Sequence, residues 1–288
     1  MRERPGYIET KFQPQLRKFI LILFLVASIH PHGSGQEVKQ IDINADVIEF
    51  DSQLGSGAKR LLGNVQFKHE DVLMTCDSAW YFSNENMVQS FSNVHLWQGD
   101  SLNLYGDYLK YSGDTRIANV RRNVILIDNE NRLTTEYIDH DFGNNLAYYL
   151  GGGKIVNGNN TLESGQGYYY TKEKLFFFKD SVVVTNPDYT MYSDTLKYNT
   201  VTEVSYFLGP TDIISDENFI YCENGWYDTQ KNISQFNKNA YLESEDKMMK
   251  GDSIYYERET GIGKAFINVE LIDTSQNIIL LGNYAIYY

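Results

Sequence analysis

The sequence predicts an all-β fold built from about nine stacked repeats of ~29 residues. Three observations lead to this prediction. An acidic residue followed four positions later by an aromatic one recurs at a regular period. The segments in between are rich in Val, Ile, Tyr, Phe and Thr and alternate with period two, as at Val65 and Phe67. Turn-forming clusters such as 83–86 and 151–153 separate these segments, so strands rather than helices follow one another.

Nine positions, here called the anchors, mark the repeat, and consecutive anchors lie 29 to 31 residues apart. The strict copies pair an acidic residue with an aromatic one: Asp46/Phe50, Asp77/Tyr81, Asp107/Tyr111, Asp194/Tyr198, Glu223/Tyr227 and Asp252/Tyr256. The looser copies are Glu136/His140, Gly165/Tyr169 and Asn283/Tyr287. Tyr fills seven of the nine aromatic positions, which explains much of the excess of 23 Tyr over 15 Phe and 3 Trp.

Further columns align with the anchors. Three positions before each anchor the residue is apolar: Ile43, Met74, Leu104, Leu133, Leu162, Met191, Ile220, Met249 and Leu280. Immediately before each anchor it is small: Ala45, Cys76, Gly106, Thr135, Ser164, Ser193, Cys222, Gly251 and Gly282. A second apolar segment, often preceded by Asn, begins in most repeats at Val65, Val94, Val124, Ile155, Val182, Ile213 and Val269.

The parity of these columns predicts a bent strand. The apolar and small columns before the anchor share one face, whereas positions two and four after it, such as Ala79 and Tyr81, have the opposite parity. All four can point inward only if the strand bends or bulges at the anchor. A small residue beside the anchor suits such a bend. We therefore expect one set of strands to form two facing sheets, with the tyrosine rings inside and their hydroxyls near the rim.

The interior of this stack allows two interpretations. Position two after the anchor alternates between small residues, such as Gly167 and Gly225, and large ones, such as Leu109 and Leu196. An apolar lining with small gaps suits a groove for acyl chains. A dry, fully packed core explains the same residues equally well, and the residues alone leave both interpretations open.

Composition excludes several classes of function. The net charge of −13 argues against nucleic acid, which needs a basic surface. The two cysteines, Cys76 and Cys222, occupy the same small column five repeats apart, too far for a disulfide. No catalytic motif is present, so we expect no enzyme and no cofactor. Single acidic anchors supply few calcium ligands, so we expect them to cap strand bends rather than bind metal.

The N-terminus has the order of a secretory signal. Lys11, Arg17 and Lys18 precede an apolar run at 19–29, and small residues follow to Gly35. We expect residues 1–35 to be the signal peptide, 36–288 to be one β-repeat domain, and the protein to be exported. An uncleaved, membrane-proximal anchor is the alternative. Residues 1–35 hold five basic and two acidic residues, so the remainder has a net charge of −16.

The recurring unit resembles that of the OstA/LptA family of envelope proteins, which act in organic-solvent tolerance and lipopolysaccharide transport. Residues 63–65 (Gly-Asn-Val) leading to 76–81 (Cys-Asp-Ser-Ala-Trp-Tyr) show it best, and the resemblance covers roughly 40–288. It implies a β-taco, or β-jelly-roll, of bent antiparallel strands whose apolar cleft carries the acyl chains of lipid A. It also implies that such domains join edge to edge into a bridge between the inner and outer membranes.

The expected function is therefore lipopolysaccharide binding and transport for outer-membrane assembly. The alternative is an exported β-solenoid scaffold or adhesin without a ligand. The partners implied are lipopolysaccharide, the β-taco domains of the inner- and outer-membrane components of the bridge, and further copies of this chain joined head to tail. The last residues, up to Tyr288, continue the strand pattern without a polar cap, so we expect that edge to add a strand. The residues expected to line the interior and bind lipid are Met74, Leu104, Leu133, Leu162, Met191, Ile220, Met249, Tyr81, Tyr111, Tyr169, Tyr198, Tyr227, Tyr256, Val65, Val94, Val124 and Val182.

Overall fold

A computed structural model describes residues 39–50, 57–99 and 102–288, and these residues form one antiparallel sheet of 20 strands without a helix. The strands are β1 (Asp42–Asn44), β2 (Val47–Phe50), β3 (Ala58–His69), β4 (Val72–Phe82), β5 (Met87–Gln98), β6 (Leu102–Ser112), β7 (Ile117–Asp128), β8 (Asn131–Asp141), β9 (Leu146–Tyr149), β10 (Gly153–Asn157), β11 (Asn160–Ser164), β12 (Gln166–Tyr170), β13 (Leu175–Asn186), β14 (Tyr189–Asn199), β15 (Val204–Ile214), β16 (Asn218–Asp228), β17 (Ile233–Ser244), β18 (Lys247–Glu257), β19 (Ile262–Asp273) and β20 (Ile278–Tyr287). The all-β prediction is confirmed. The expected signal, 1–35, lies outside the described residues, and the described part holds no helix of membrane-spanning length and apolarity.

Successive strands pair as hairpins along the stack. From β3 to β8 and from β13 to β20, each strand pairs with the next one in the chain. In the middle the chain leaves strand geometry at 150–152 and at Gly165, so β9 with β10, and β11 with β12, take the places of single long strands. β1 and β2 likewise share β3 as their neighbour.

Each long strand bends near its middle, which divides the sheet into two wings. The pairing of β3 with β4 shifts between Leu62 and Val65, and equivalent shifts recur in the later hairpins. Wing A contains the segments equivalent to 65–69 and 72–76, and wing B contains those equivalent to 58–62 and 78–82. The hairpin turns of wing A form rim A, which includes 70–71, 129–130, 187–188, 215–217 and 245–246. The turns of wing B form rim B, which includes 83–86, 113–116, 171–174, 229–232 and 258–261.

Two successive residues with positive φ produce each of six bends. The pairs are Gly63/Asn64, Ser92/Asn93, Arg122/Asn123, Asp180/Ser181, Lys238/Asn239 and Ile267/Asn268. Asn is the non-glycine residue that tolerates this left-handed region best, together with Asp. The sequence signal of Asn before the second apolar segment therefore marks the place where the chain passes from one wing to the other.

The acidic anchors hold these bends from the neighbouring strand. Five Asn side chains donate to an anchor carboxylate over 2.6–3.1 Å: Asn64 to Asp46, Asn93 to Asp77, Asn123 to Asp107, Asn239 to Glu223 and Asn268 to Asp252. The exception at anchor Gly165 has a physical reason. A Cβ there would lie 2.7 Å from Oδ2 of Asp180, which belongs to the facing bend, so the acid has moved to the other strand. The prediction that the anchors cap strand bends is confirmed at these sites.

The bend brings both parities of the strand into one interior, as the columns predict. Met74, Cys76, Ala79 and Tyr81 are all buried in the common apolar core, although a straight strand would place the last two outside. The small column reflects close approach of the two wings. At Gly106 a Cβ would lie 2.5 Å from Cγ1 of Val120.

The tyrosine ladder places rings inside and hydroxyls near the rims. The hydroxyl of Tyr111 lies 2.7 Å from Nδ1 of His69, and that of Tyr169 donates to Asp128. The ladder differs from the prediction at its first position, because Phe50 is exposed on β2 near the edge of the described sheet.

His140 occupies one ladder position without a polar partner. Its ring is fully buried, neither ring nitrogen is hydrogen-bonded, and it packs on Phe142 with 3.9 Å between ring centroids. Burial lowers the pKa of His140 to about 4. The fold therefore holds a neutral imidazole in a position where seven of the other eight repeats use a tyrosine.

The first prediction concerns the bends. Asn93→Ala should destabilise the protein by about 1 kcal/mol more than Asn119→Ala, because alanine tolerates positive φ less well than asparagine. Both asparagines donate to an aspartate over 2.8 Å. Asn119 does not have a positive φ, so it serves as the matched control. Urea unfolding measures the difference, and equal losses for the two variants would contradict this role of the bend.

The second prediction concerns His140. The pKa of His140 in the folded chain is about 4, below its ordinary value of 6.5. Between pH 4 and pH 6.5 the unfolded chain therefore binds a proton at His140 that the folded chain does not bind. Stability should therefore fall as the pH drops from 6.5 towards 4, by up to about 3 kcal/mol from this group.

His140→Phe should remove that part of the pH dependence in urea titrations at pH 7.5 and pH 5. His95→Phe, on the outer stack with Trp97 and Tyr105, should leave it in place. Identical pH profiles for His140→Phe and the parent would refute the assignment.

Candidate functional site

A cavity of about 840 Å³ opens between the two wings in the C-terminal third of the sheet, from the turn before β14 to β20. Its apolar walls come from both wings. The apolar lining residues are Pro187, Tyr189, Met191, Phe207, Ile213, Ile220, Tyr227, Phe236, Leu242, Met248, Met249, Tyr256, Leu271, Ile272, Ile278, Leu280 and Tyr287. The charged ones are Asp188, Asp216, Glu217, Lys247, Arg258 and Asp273. A volume of this size lies in the usual range for binding sites of small ligands.

One column of wing B changes from a large side chain to small ones beside the cavity. Phe176 pairs with ladder tyrosines on both sides and stacks on Tyr169, with 4.0 Å between ring centroids and 7° between ring planes. Positions 29 residues apart in the same column hold Ser205, Ser234 and Gly263, and the last two line the cavity. Small side chains in this column do not open the interior by themselves, because Ala118 and Ala147 occupy it in the packed part and are buried.

Wing A shows the same change from packed to open. Met74 and Leu104 of the apolar column are fully buried, whereas Ile220 of that column and Leu271 of the second apolar segment are only partly buried. Leu280, on β20, is 57% exposed. The interior is therefore closed in the first part of the stack and accessible in the last part.

All seventeen residues expected to line the interior belong to the common apolar core or pack against it. Five of them line the large cavity: Met191, Ile220, Met249, Tyr227 and Tyr256. Two more, Leu133 and Tyr169, border a second cavity of about 10 Å³, which is no larger than the space for one water molecule. The remaining ten line neither cavity. Leu162 and Tyr198 are partly buried against the core, and eight are buried in it: Met74, Leu104, Tyr81, Tyr111, Val65, Val94, Val124 and Val182.

The two interpretations of the interior thus apply to different parts of one molecule. Between β3 and β12 the wings meet in a dry core, in which Leu61, Leu109, Val120 and Leu126 are fully buried. Between β14 and β20 they leave a groove. The larger cavity, and with it the candidate site for an apolar ligand, lies in the second region.

The rims are joined across the mouth by charged side chains. In the packed part, Arg116 of rim B pairs with Glu70 and Asp71 of rim A at 3.0 and 2.7 Å, and Lys174 pairs with Asp128 at 2.8 Å. Over the cavity, Arg258 of rim B pairs with Asp188 of rim A.

A second cation also reaches across this mouth. Nζ of Lys247, which begins β18 at rim A, lies 5.3 Å from the ring centroid of Tyr287 at the end of β20. Next to Asp188, burial raises the pKa of Tyr189 to about 12, so its hydroxyl stays protonated. The mouth therefore combines the neutral hydroxyl of Tyr189 with two cations and with the carboxylates of Asp188, Asp216, Glu217 and Asp273.

The lining of the cavity is mainly apolar, with six charged side chains. Its lining, within the described residues, includes neither histidine nor cysteine. Cys222 is buried beside the bend of β16, and burial raises the pKa of its thiol to about 12, which leaves it unreactive at neutral pH. The described ranges contain no cluster of three or more His, Cys, Asp or Glu arranged to hold a metal ion.

Several lining residues were not predicted, although the repeat contains their signal. Phe207 and Phe236 belong to a column with a 29-residue period that runs through Tyr149, Phe178 and Ala265. Extending the register by one more column would have found them. The ion pair of Asp188 with Arg258 carries no such signal, because its partners lie 70 residues apart in different turns.

Comparison with known proteins gives a family match and matches to solved structures, which differ in extent. The family described as OstA-like protein matches residues 39–194 and 190–252. Among solved structures the chain is similar to LptH from Pseudomonas aeruginosa, described as the LptA-homologous periplasmic component of the lipopolysaccharide transport device. That similarity has 16% identity and a TM-score of 0.36, and it covers 43% of this chain and 93% of that one. No curated protein sequence matches the chain.

The family match extends over well more than half of the sequence and spans five of the six bends, most of the tyrosine ladder and much of the cavity wall. The chain therefore belongs to the OstA-like protein family, as its repeat motif predicts.

Proposed function

We propose that this protein is a non-catalytic carrier of lipopolysaccharide that takes up acyl chains in the cavity between its wings. The observation that carries the proposal is the open apolar cavity of about 840 Å³ within a sheet that is otherwise packed. Membership of the OstA-like family adds to it, because the resemblance to OstA and LptA proteins implies a lipopolysaccharide cargo.

Burial of hydrocarbon provides the driving force in this proposal. Each buried methylene contributes about 0.8 kcal/mol, so ten methylenes contribute about 8 kcal/mol before the cost of association. Net charge cannot supply this energy, because the chain is strongly acidic and repels anionic lipids at long range. Binding should therefore depend on acyl chain length much more than on salt.

The proposed setting is the periplasm, reached through the signal in residues 1–35. The proposed partners are the β-taco domains of the inner- and outer-membrane components of a transport bridge, and further copies of this chain. β20 pairs only with β19 among the described strands, and Ile279 and Leu281 are exposed on it. An open, apolar strand edge of this kind is a template for strand addition.

The alternative function is a ligand-free scaffold, and the dry core between β3 and β12 favours it. A ligand-free scaffold is stabilised by a packed interior, however, so this function does not account for the cavity between β14 and β20. The two functions differ in whether hydrocarbon enters the space lined by Ile220 and Leu242.

The third prediction tests this space. Leu242→Trp should fill part of the cavity and weaken lipopolysaccharide binding about tenfold, which corresponds to about two methylenes of lost burial. Tyr241→Trp, one residue away on the outer stack with Tyr221, is the matched control and should not change affinity. Displacement of a fluorescent apolar probe by lipopolysaccharide measures both.

A photo-crosslinking amino acid at Met191 should in addition be labelled by lipopolysaccharide, whereas one at Leu104 in the dry core should not. If lipopolysaccharide neither displaces the probe from the parent protein nor labels the crosslinker at Met191, the scaffold function is favoured.

The fourth prediction concerns the edge strand. Leu281→Lys should weaken self-association at least tenfold, because a charge discourages pairing of strand edges. The fold should be retained, because the side chain of Leu281 is 79% exposed. Val201→Lys changes an equally apolar, exposed residue in a turn of rim B and is the control. Sedimentation over a wide concentration range measures the association. A strictly monomeric parent protein that also ignores envelope partners would exclude this interface.

A further inference from the structure

The pair of Arg258 with Asp188 differs from the other cross-rim pairs in how far apart its two residues lie in the sequence. Arg116 with Glu70, and Lys174 with Asp128, each join residues 46 positions apart and lie over packed interior. Arg258 and Asp188 are 70 positions apart, and both line the cavity. This pair therefore crosses the stack diagonally, over the place where the wings stand apart.

The same pair differs in exposure, and this decides which carboxylate a ligand can replace. The side chain of Asp128 is 2% exposed and also accepts from Tyr169, so an incoming anion cannot reach Lys174 in its place. The side chains of Arg258 and Asp188 are 45% and 58% exposed. An exposed ion pair of this kind contributes little net free energy and exchanges partners readily.

Other groups at the mouth leave Arg258 as the natural receptor for an anion. Asp273 accepts from its own turn, at 2.6 Å from Oγ of Ser275 and 2.9 Å from the backbone nitrogen of Gln276. Asp216 and Glu217 are exposed on their turn. Lys247 reaches over the same mouth from the opposite rim. A guanidinium binds phosphate through two parallel hydrogen bonds, whereas Arg258 donates to Asp188 from Nη2 alone.

We propose that Arg258 is the head-group receptor of the cavity, and that an amphiphile with a phosphate head replaces Asp188 on Arg258 as its hydrocarbon chain enters. The inference rests on the proposed function and adds the class of ligand to it. A neutral amphiphile gains nothing from Arg258 and leaves its pair with Asp188 in place, whereas a phosphate gains a charged partner by replacing Asp188. The mouth therefore selects anionic amphiphiles over neutral ones of the same chain length.

The test uses the full chain with two probes of equal tail length, dodecyl phosphate and dodecyl maltoside, below their micellar concentrations. Calorimetric titration in about 0.15 M salt limits the influence of charges more than about 8 Å away. The parent protein should prefer the phosphate probe. Asp188→Asn should strengthen phosphate binding about two- to fivefold, the range of an exposed ion pair, and leave maltoside binding nearly unchanged.

Arg258→Gln should abolish the preference, and Arg258→Lys should retain part of it. Arg116→Gln breaks a cross-rim pair over packed interior and is the matched control, expected to change neither affinity. If Arg258→Gln fails to fold, Asp188→Asn still decides the question, because a phosphate affinity that does not rise contradicts competition for Arg258.

The outcomes separate this inference from the proposed function. Binding of both probes with an unchanged preference in Arg258→Gln overturns the head-group receptor but leaves the carrier in place. Equal weakening of both probes in that variant also overturns it, because the pair would then only hold the rims together. Failure of both probes to bind the parent protein removes the carrier function and the receptor with it.

Discussion

The hydrogen bond between an asparagine at a bend and an acidic residue on the next strand is the interaction on which the rest of the structure depends. It fixes two residues with positive φ in the middle of a strand, as at Asn93 opposite Asp77, and so turns one strand into two segments. The wings, the common interior and the rims all follow from this turn. The pair joins adjacent strands, so each hairpin positions the bend of its neighbour. Contacts between adjacent strands are therefore sufficient to repeat the bent shape along the stack.

Variation within this constant backbone determines where the molecule can hold a ligand. The wings are fixed by the bends, so the interior is filled or left open by side chains alone. Phe176 fills it against Tyr169, whereas Ser234 and Gly263 at the equivalent positions do not. A repeat fold can thus change function along its length without changing topology, and here the closed segment supports an open one.

The sequence predicts the fold well because its signals are local. Asparagine before an apolar segment, the acidic anchor and the parity of Ala79 and Tyr81 each reflect contacts between adjacent strands. The cavity is harder to predict, because Leu104 and Ile220 occupy the same column with similar side chains and differ only in what lies across the interior. Contacts between turns, such as Arg258 with Asp188, depend on how the rims meet, which no period in the sequence records.

The position of the cavity beneath β20 also bears on how the protein opens. In a stack with nearest-neighbour contacts, a strand paired on one side is held by half as many ladder bonds as an inner strand, and β20 has β19 as its single partner among the described strands. Local unfolding of the described sheet therefore costs least at its two edges, which are β1 with β2 and β20. Of these edges only β20 borders the cavity, so amide protons of β20 should exchange earlier than those around β6 and β7, and the cavity wall includes some of the least protected hydrogen bonds of the sheet.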